Sequence, residues 1–289
     1  MQLLVAGFGL LEAARWYPKH GLLFSDMTQG GVFRLGTRHP RREVVVPHRK
    51  GVGGLVAHRD GGLVVAGRNV AHKAPDGTTT VIMQTAADEM FFNDLTADRR
   101  GRLFVGSVGM NPASAEAEDA DRACGRLYRV DLDGSITVLA DDVLVSNGLG
   151  TAPTDELLYH VDSHRHTVWV FTERGEREIF ADSSEYPGVP DGLAVAADGS
   201  VWVAIAGGGV VVGWSADGRR IAELPVPQAL VTSVCFGERD LRSMFVLTGH
   251  NDEYPDTQGG SVYVRRADRR GLPAPACAVA LSIPAGRGE

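Results

Sequence analysis

One phrase recurs six times along the chain. It is clearest at residues 189–204, VPDGLAVAADGSVWVA, where Asp191 precedes an apolar run, a turn at Asp198-Gly199 and a second apolar run from Val201. Asn93-Asp94-Leu95 leads in the same way to Leu103, Asn147-Gly148-Leu149 to Leu157, Gly53-Gly54-Leu55 to Leu63, and Glu12-Ala13-Ala14 to Leu22. In these five copies the second run begins ten positions after the first residue named. A looser sixth copy runs from Thr232 to Met244. The copies stand roughly 40 to 55 residues apart, a spacing that signals a repeat architecture before anything else is read.

Each copy opens a unit of short strand-like runs split by Asp-Gly, Gly-Gly or Pro-bearing turns. The third unit holds residues 93–97, 103–106, 127–130 and 136–139; the fifth holds 193–196, 201–205, 210–214 and 221–224. The sixth reads as 232–236, 244–247, 262–265 and 277–283. No long apolar stretch has the 3.6-residue period of a helix. The expectation is all-β: a six-bladed β-propeller of four antiparallel strands per blade, forming a single domain over residues 1–289. Either end of the chain, 2–6 or 277–283, offers a strand to close the ring. Residues 109–124, rich in Ala, Glu and Asp, read as an insertion that is a short helix or a loop over one face.

An excess of 36 acidic over 29 basic residues gives a net charge of -7 and excludes a basic nucleic-acid footprint. The one basic cluster, Arg265-Arg266 with Arg269-Arg270, reads as a solvated hairpin tip. Cys124, Cys235 and Cys277 are too scattered for a disulfide framework or a zinc knuckle. The first residues, MQLLVAGFGLLE, carry no positive n-region, and no apolar run approaches the 18 or so residues of a membrane span. A soluble, cytoplasmic protein without membrane or nucleic-acid partners is expected; nothing in the sequence signals an oligomeric state. Gly7-Phe8-Gly9, Gly51-Val52-Gly53-Gly54 and Gly207-Gly208-Gly209 lack the strand–turn–helix setting a phosphate loop needs.

In a propeller the first strand of each blade lines the central channel, so the leading residues of the copies converge: Glu12, Gly53, Asn93, Asn147, Asp191 and Thr232. Two carboxylates and two amides among them are the oxygen donors a hard cation prefers. Grouped carboxylates without a cation repel one another. Ca²⁺ leads among the divalent ions that suit the set, with Zn²⁺, Mg²⁺ and Mn²⁺ as alternatives. The competing reading is that Asp-Gly and Asn-Gly are turn pairs. Against it, the four share one phase of the repeat, and each unit has a separate turn signal further on.

Leu11-Glu12 with Leu23-Phe24-Ser25-Asp26, Phe92-Asn93-Asp94 with Gly101-Arg102-Leu103-Phe104, Ser146-Asn147-Gly148 with His160-Val161-Asp162, and Pro190-Asp191-Gly192 with Val201-Trp202-Val203 together resemble one family. It is that of senescence marker protein, gluconolactonase and luciferin-regenerating enzyme, with diisopropyl fluorophosphatase among its relatives. The resemblance covers nearly the whole chain. It implies a six-bladed propeller with one divalent ion in the channel, held by Glu12, Asn147 and Asp191, with Asn93 touching the ion, a bound water or the substrate. It implies a lactonase, or a phosphotriester hydrolase, in which Asp191 is general base or nucleophile.

Relatives that open sugar lactones carry an arginine where this chain has Phe91. That departure, with Met90 and Met110 nearby, points to a small-molecule substrate other than a sugar lactone. Phe91 reads equally as core packing or pocket wall; Phe92 reads as core, as do Trp16 and Trp202. His160, His164 and His166 cluster after the fourth unit's second strand, His250 follows the sixth unit's, and His72 lies in the second unit. Loops at those places reach the channel mouth, so His164 and His250 are candidates to touch substrate or move protons. A binding propeller with a purely structural ion is the reading from another class.

Overall fold

The computed structural model describes residues 1–36, 41–109 and 125–281. These form a six-bladed β-propeller: six antiparallel sheets of four strands each. The chain opens with β1 (Gln2–Phe8) and then builds five simple meanders. Blade 1 is β2 (Leu11–Tyr17), β3 (Gly21–Asp26), β4 (Val32–Leu35) and β5 (Arg42–Val46). Blade 2 is β6 (Leu55–Ala57), β7 (Leu63–Val65), β8 (Asn69–Lys73) and β9 (Thr79–Gln84). Blade 3 is β10 (Glu89–Ala97), β11 (Leu103–Gly109), β12 (Gly125–Val130) and β13 (Ile136–Val143). Blade 4 is β14 (Ser146–Thr151), β15 (Leu157–Asp162), β16 (Thr167–Thr172) and β17 (Arg177–Asp182). Blade 5 is β18 (Val189–Val195), β19 (Val201–Ala206), β20 (Val210–Trp214) and β21 (Arg220–Pro225).

Blade 6 takes β22 (Val231–Gly237), β23 (Ser243–Thr248) and β24 (Gly260–Arg266) from the C-terminal end and β1 from the N-terminal end, with Gln2 opposite Val264 and Phe8 opposite Gly260. The N-terminal strand thus closes the ring. The strand expected at 277–283 is a correction: within the described residues Cys277 makes only an isolated parallel bridge to His58. The insertion from residue 110 to 124, with Met110 and Cys124, lies outside the described residues.

Burial follows radial position. β2, β22 and β23 are buried along their whole length, whereas β5 and β21 are largely exposed. Inner strands have a blade on either side, so they read as continuous apolar runs. The core is correspondingly a set of layers between blades. Trp16 of blade 1 stacks on Phe245 of blade 6 at 5.5 Å, and Trp202 of blade 5 meets Phe236 of blade 6 edge-on at 6.3 Å. Phe92 is fully buried among Val56 and Val64 of blade 2 and Leu95 of its own blade. Burying each such side chain is worth about 1.5–3 kcal/mol. The turn after β18 shows why the repeat carries Asp-Gly: Gly199 has φ +81°, and Asp198 accepts a hydrogen bond from the Ser200 amide.

After β24 the chain crosses the end of the ring where inner strands turn into second strands, here the lower mouth. Gly271 bridges Ala196 of blade 5 and donates to the Leu241 carbonyl of blade 6. Tyr17 of blade 1 donates to the Pro275 carbonyl. Cys277 pairs along Ala57 of blade 2, and Ala278 donates to Gly101 of blade 3. The opposite, upper mouth is where the inner strands begin. Among the described residues no helix is long and apolar enough to cross a membrane.

Candidate functional site

At the upper mouth the pairing between inner and second strands breaks at the same place in four blades. Glu12 faces Ser25 and the next pair is Arg15–Leu23; Phe92 faces Ser107 and the next is Leu95–Val105. Ser146–Asp162 is followed by Leu149–His160, and Pro190–Ile205 by Leu193–Val203. Three steps on the inner strand meet two on its partner, which is a β-bulge, and a bulge re-aims side chains. The residues lifted from the ladder are Asn93 and Asp94, Asn147 and Gly148, Asp191 and Gly192. In β2 they are Ala13 and Ala14, so Glu12 stands on the last paired position, one earlier than the repeat phrase suggests. Ala13 has φ +61°, uncommon for a residue with a side chain.

Asn147-Gly148 and Asp191-Gly192 therefore lie inside strands, not in turns. Their glycines let neighbouring inner strands touch backbone to backbone: a Cβ on Gly148 would stand 2.5 Å from the Asp191 carbonyl oxygen. Gly53 serves the same end, since a Cβ there would collide with Asn93 Oδ1. Hydrogen bonds then pass around the mouth from blade to blade. Ser25 Oγ donates to the Val52 carbonyl at 2.6 Å, Asn93 Nδ2 to the Ser146 carbonyl at 2.9 Å, and Asn147 Nδ2 to Ser163 Oγ at 3.2 Å. Ser163 Oγ donates to the Pro190 carbonyl at 2.7 Å, and Thr232 Oγ1 to the Leu11 carbonyl.

This network fixes what the mouth offers to a ligand. Each amide nitrogen donates one of its two N–H groups to a protein acceptor, which orients the side chain and leaves the Oδ1 atoms of Asn93 and Asn147 without a protein partner among the described residues. Glu12 and Asp191 are both buried. Burial, then the negative charges of Asp191 and Asp94, push the Glu12 carboxyl well above its ordinary range. Burial, then Asp94, push Asp191 up likewise. Asp191 Oδ1 is buried with no hydrogen-bond partner among the described residues. Two desolvated carboxylates and two amide oxygens, one oxygen orphaned, are donors of the kind a hard divalent cation takes. No group of three His, Cys, Asp or Glu side chains suited to a metal occurs among the described residues, so an ion here depends on the amides.

Phe91 is half-buried beside Asn93, opposite Val108 on β11, while Phe92 is core as expected. His164 is exposed on a single 3₁₀ turn, Ser163–Arg165, whose Ser163 holds Asn147. His250 is half-buried just past β23, whose end pairs with the start of β22, and so lies at the same mouth. His160 is fully buried and bonded to Ser146 Oγ at 2.8 Å, and burial pushes its pKa down to about 3. His72 bonds the Gly61 carbonyl near the lower mouth and packs on His58. Trp16 and Trp202 are core.

The sequence reading missed Asp94. It meets Arg15 at 3.3 Å in the channel and accepts from the Leu149 amide at 3.1 Å. The available signal was that Asp94 stands where the second, fourth and fifth copies have glycine.

A profile of the SMP-30/gluconolactonase/LRE-like region matches residues 10–250. The pentonolactonase XacC of Haloferax volcanii is 32% identical over 249 residues, covering 83% of this chain and 82% of that protein. The 6-deoxy-6-sulfogluconolactonase of Pseudomonas putida is 29% identical over 253 residues, covering 83% and 84%. Among solved structures, the calcium-binding protein regucalcin of Agrobacterium tumefaciens superposes with a TM-score of 0.81 at 21% identity, covering 95% of this chain and 96% of that one.

Proposed function

The chain belongs to the SMP-30/gluconolactonase/LRE-like family, and on that premise we propose that it is a divalent-cation-dependent hydrolase that opens the ring of a lactone at the upper mouth. One observation carries the reading: the buried, unpartnered Asp191 Oδ1 beside the equally desolvated Glu12. Two carboxylates in that state are unfavourable unless something positive joins them.

Glu12, Asn147 and Asp191 would hold the cation, with Ca²⁺ first by donor chemistry and Zn²⁺, Mg²⁺ and Mn²⁺ as rivals. When bound, such an ion polarises a carbonyl and lowers the pKa of a nearby water. The chain's own residues do the rest. Asp191 takes the proton from the attacking water as general base. Asn93, fixed through Nδ2, presents its oxygen to substrate or water. Phe91 forms an apolar wall where sugar-lactone relatives carry arginine; His164 and His250 stand at the rim to meet the ring substituents. XacC and the Pseudomonas putida enzyme are named for sugar-derived lactones; Phe91 is the reason to expect a less hydroxylated ring here.

The test is hydrolysis of γ- and δ-lactones, alkyl-substituted and polyhydroxy, by chelated protein and after separate return of Ca²⁺, Zn²⁺, Mg²⁺ and Mn²⁺. Alkyl-lactone turnover that vanishes on chelation and returns with Ca²⁺ is expected. Turnover indifferent to chelation overturns the cation, and preference for gluconolactone overturns the apolar ring.

A further inference from the structure

A sizeable cavity lies away from the upper mouth. About 400 Å³ of space lies in the lower half of the channel, and none of Glu12, Asn93, Asn147 and Asp191 lines it. That volume is in the range of small-molecule sites. Every blade contributes one wall: Arg15, Val56, Thr96, Leu149, Leu193 and Val234. The C-terminal tail supplies the lid, with Leu272, Pro273 and Ala274 on its inner side. The lid is pinned at each end, at Gly271 and at Cys277, and once between, where Tyr17 donates to Pro275.

Three arginines and one acid line this cavity, so positive groups are in excess. Arg15 lies at its inner end and Arg59 and Arg99 at its rim, while the one acid in the lining, Asp155, is held by Arg99 at 2.8 Å. Arg15 is buried, and its donors are only partly used. Nη1 donates to the Ala14 carbonyl at 3.0 Å, and Nη2 to Asp94 and to the Leu95 carbonyl at 2.9 Å. These bonds occupy three of the five N–H groups of a guanidinium, and Nε makes none among the described residues. A long apolar chamber with an under-used buried guanidinium at one end suits a molecule of matching polarity.

We infer that the lower half of the channel is a second ligand site, separate from the upper mouth, for a small organic monocarboxylate with an apolar body. The carboxylate takes the Arg15 end or the Arg59–Arg99 rim, and the body lies against Leu149, Leu193, Val234 and the tail. Arg15 also holds Asp94, which borders the upper mouth, so the two sites share one ion pair.

Octanoate is the probe and octanol its uncharged control, followed by calorimetry on the full chain at pH 7.5 with Ca²⁺ present. Saturable binding of octanoate, well above that of octanol, is expected. Ala274→Trp, which fills the chamber from the half-exposed tail, should abolish it. Arg59→Glu, an exposed change that leaves folding intact even if the tail variant does not fold, should weaken it about threefold or more. Asp191→Asn, at the other mouth, should leave it unchanged. Absence of saturable binding, or octanol binding as tightly as octanoate, overturns the assignment. So does retention of binding in Arg59→Glu and Ala274→Trp, or its loss in Asp191→Asn, which places octanoate at the upper mouth.

Discussion

Arg15 and Asp94 meet 3.3 Å apart inside the channel, one from the innermost strand of blade 1 and the other from that of blade 3. Asp94 also accepts from the Leu149 amide of blade 4, and Arg15 donates to the Leu95 carbonyl. One buried pair therefore ties three blades together. Burial still holds the Asp94 carboxyl above its ordinary range, against the pull of Arg15 and two amides. Removing one partner of such a pair leaves an uncompensated buried charge, so Asp94→Ala is expected to cost about 3–5 kcal/mol. Arg15→Met combined with Asp94→Leu should cost less than either single change. Urea midpoints of Arg15→Met, Asp94→Leu and the double variant test this; a double variant as unstable as the sum of those singles would show that the two side chains act independently.

Asp191→Asn separates catalysis from stability. The change removes the general base and one cation donor, so lactone turnover should fall by about 10²-fold or more, and Ca²⁺ should bind more weakly by calorimetry. In chelator, however, the variant should melt higher than the parent, because Glu12 no longer faces a second buried negative charge. A lower melting temperature in chelator would mean that the carboxylate serves the fold rather than the site.

His160 sets a pH signature of its own, away from the site chemistry. Its pKa is pushed down to about 3 by burial, then by Arg177. Between that value and the ordinary 6.5 or so of a free histidine, the unfolded chain binds a proton that the folded chain refuses. Stability from this group is thus complete above the ordinary value and falls as pH drops below it, by about 1.4 kcal/mol per pH unit. His160→Gln should flatten that part of the acid-unfolding curve while lowering stability at pH 7.5. Equal slopes in parent and variant between pH 6 and 4 would remove His160 from the account. Glu12 and Asp191, with raised values, act in the opposite sense in both proteins, so the difference between the two curves isolates the imidazole.

Particular residues show what the sequence could and could not convey. Asp191-Gly192 and Asn147-Gly148 are visible because each bulge needs a re-aimed donor followed by a glycine for close backbone approach, and both requirements are local. Glu12 was found one position out of phase for an equally local reason. Ala97 pairs with Leu103, six residues on, but Tyr17 pairs with Gly21, four on, so a shorter turn disguised the shift. Arg15 and Asp94 were missed because a contact across the channel leaves no spacing to read. The tail was misread because residues after Ala276 carry an apolar pattern, yet their backbone partners are turns on blades 2 and 3 rather than an outer strand.

The closure of the ring can be tested at Phe8. It is buried against Phe24 and Phe33, with ring centroids 5.4 Å away in each case, and it ends the strand that completes blade 6. Phe8→Ala should cost about 3–5 kcal/mol, as large-to-small core changes do. Leu3→Ala, on the exposed side of the same strand, should stay within about 0.5 kcal/mol. Chemical denaturation distinguishes them; equal costs would mean that the first strand is not latched by its aromatic end.

Phe91→Arg addresses substrate choice directly. Phe91 is half-buried on β10, two residues before Asn93 and opposite Val108, so a longer side chain there has the mouth to extend into. If an apolar wall at this place disfavours ring hydroxyls, replacing it with a five-donor guanidinium should raise kcat/KM for polyhydroxy lactones and lower it for alkyl lactones. One added hydrogen-bonding pair is worth about 1–1.5 kcal/mol, so the preference ratio should move about tenfold. The cation requirement should not change, because Glu12, Asn147 and Asp191 are untouched. A ratio that stays fixed while both rates fall together would assign Phe91 to packing against Val108, and substrate choice would then have to be sought at His164, His250 or Met110.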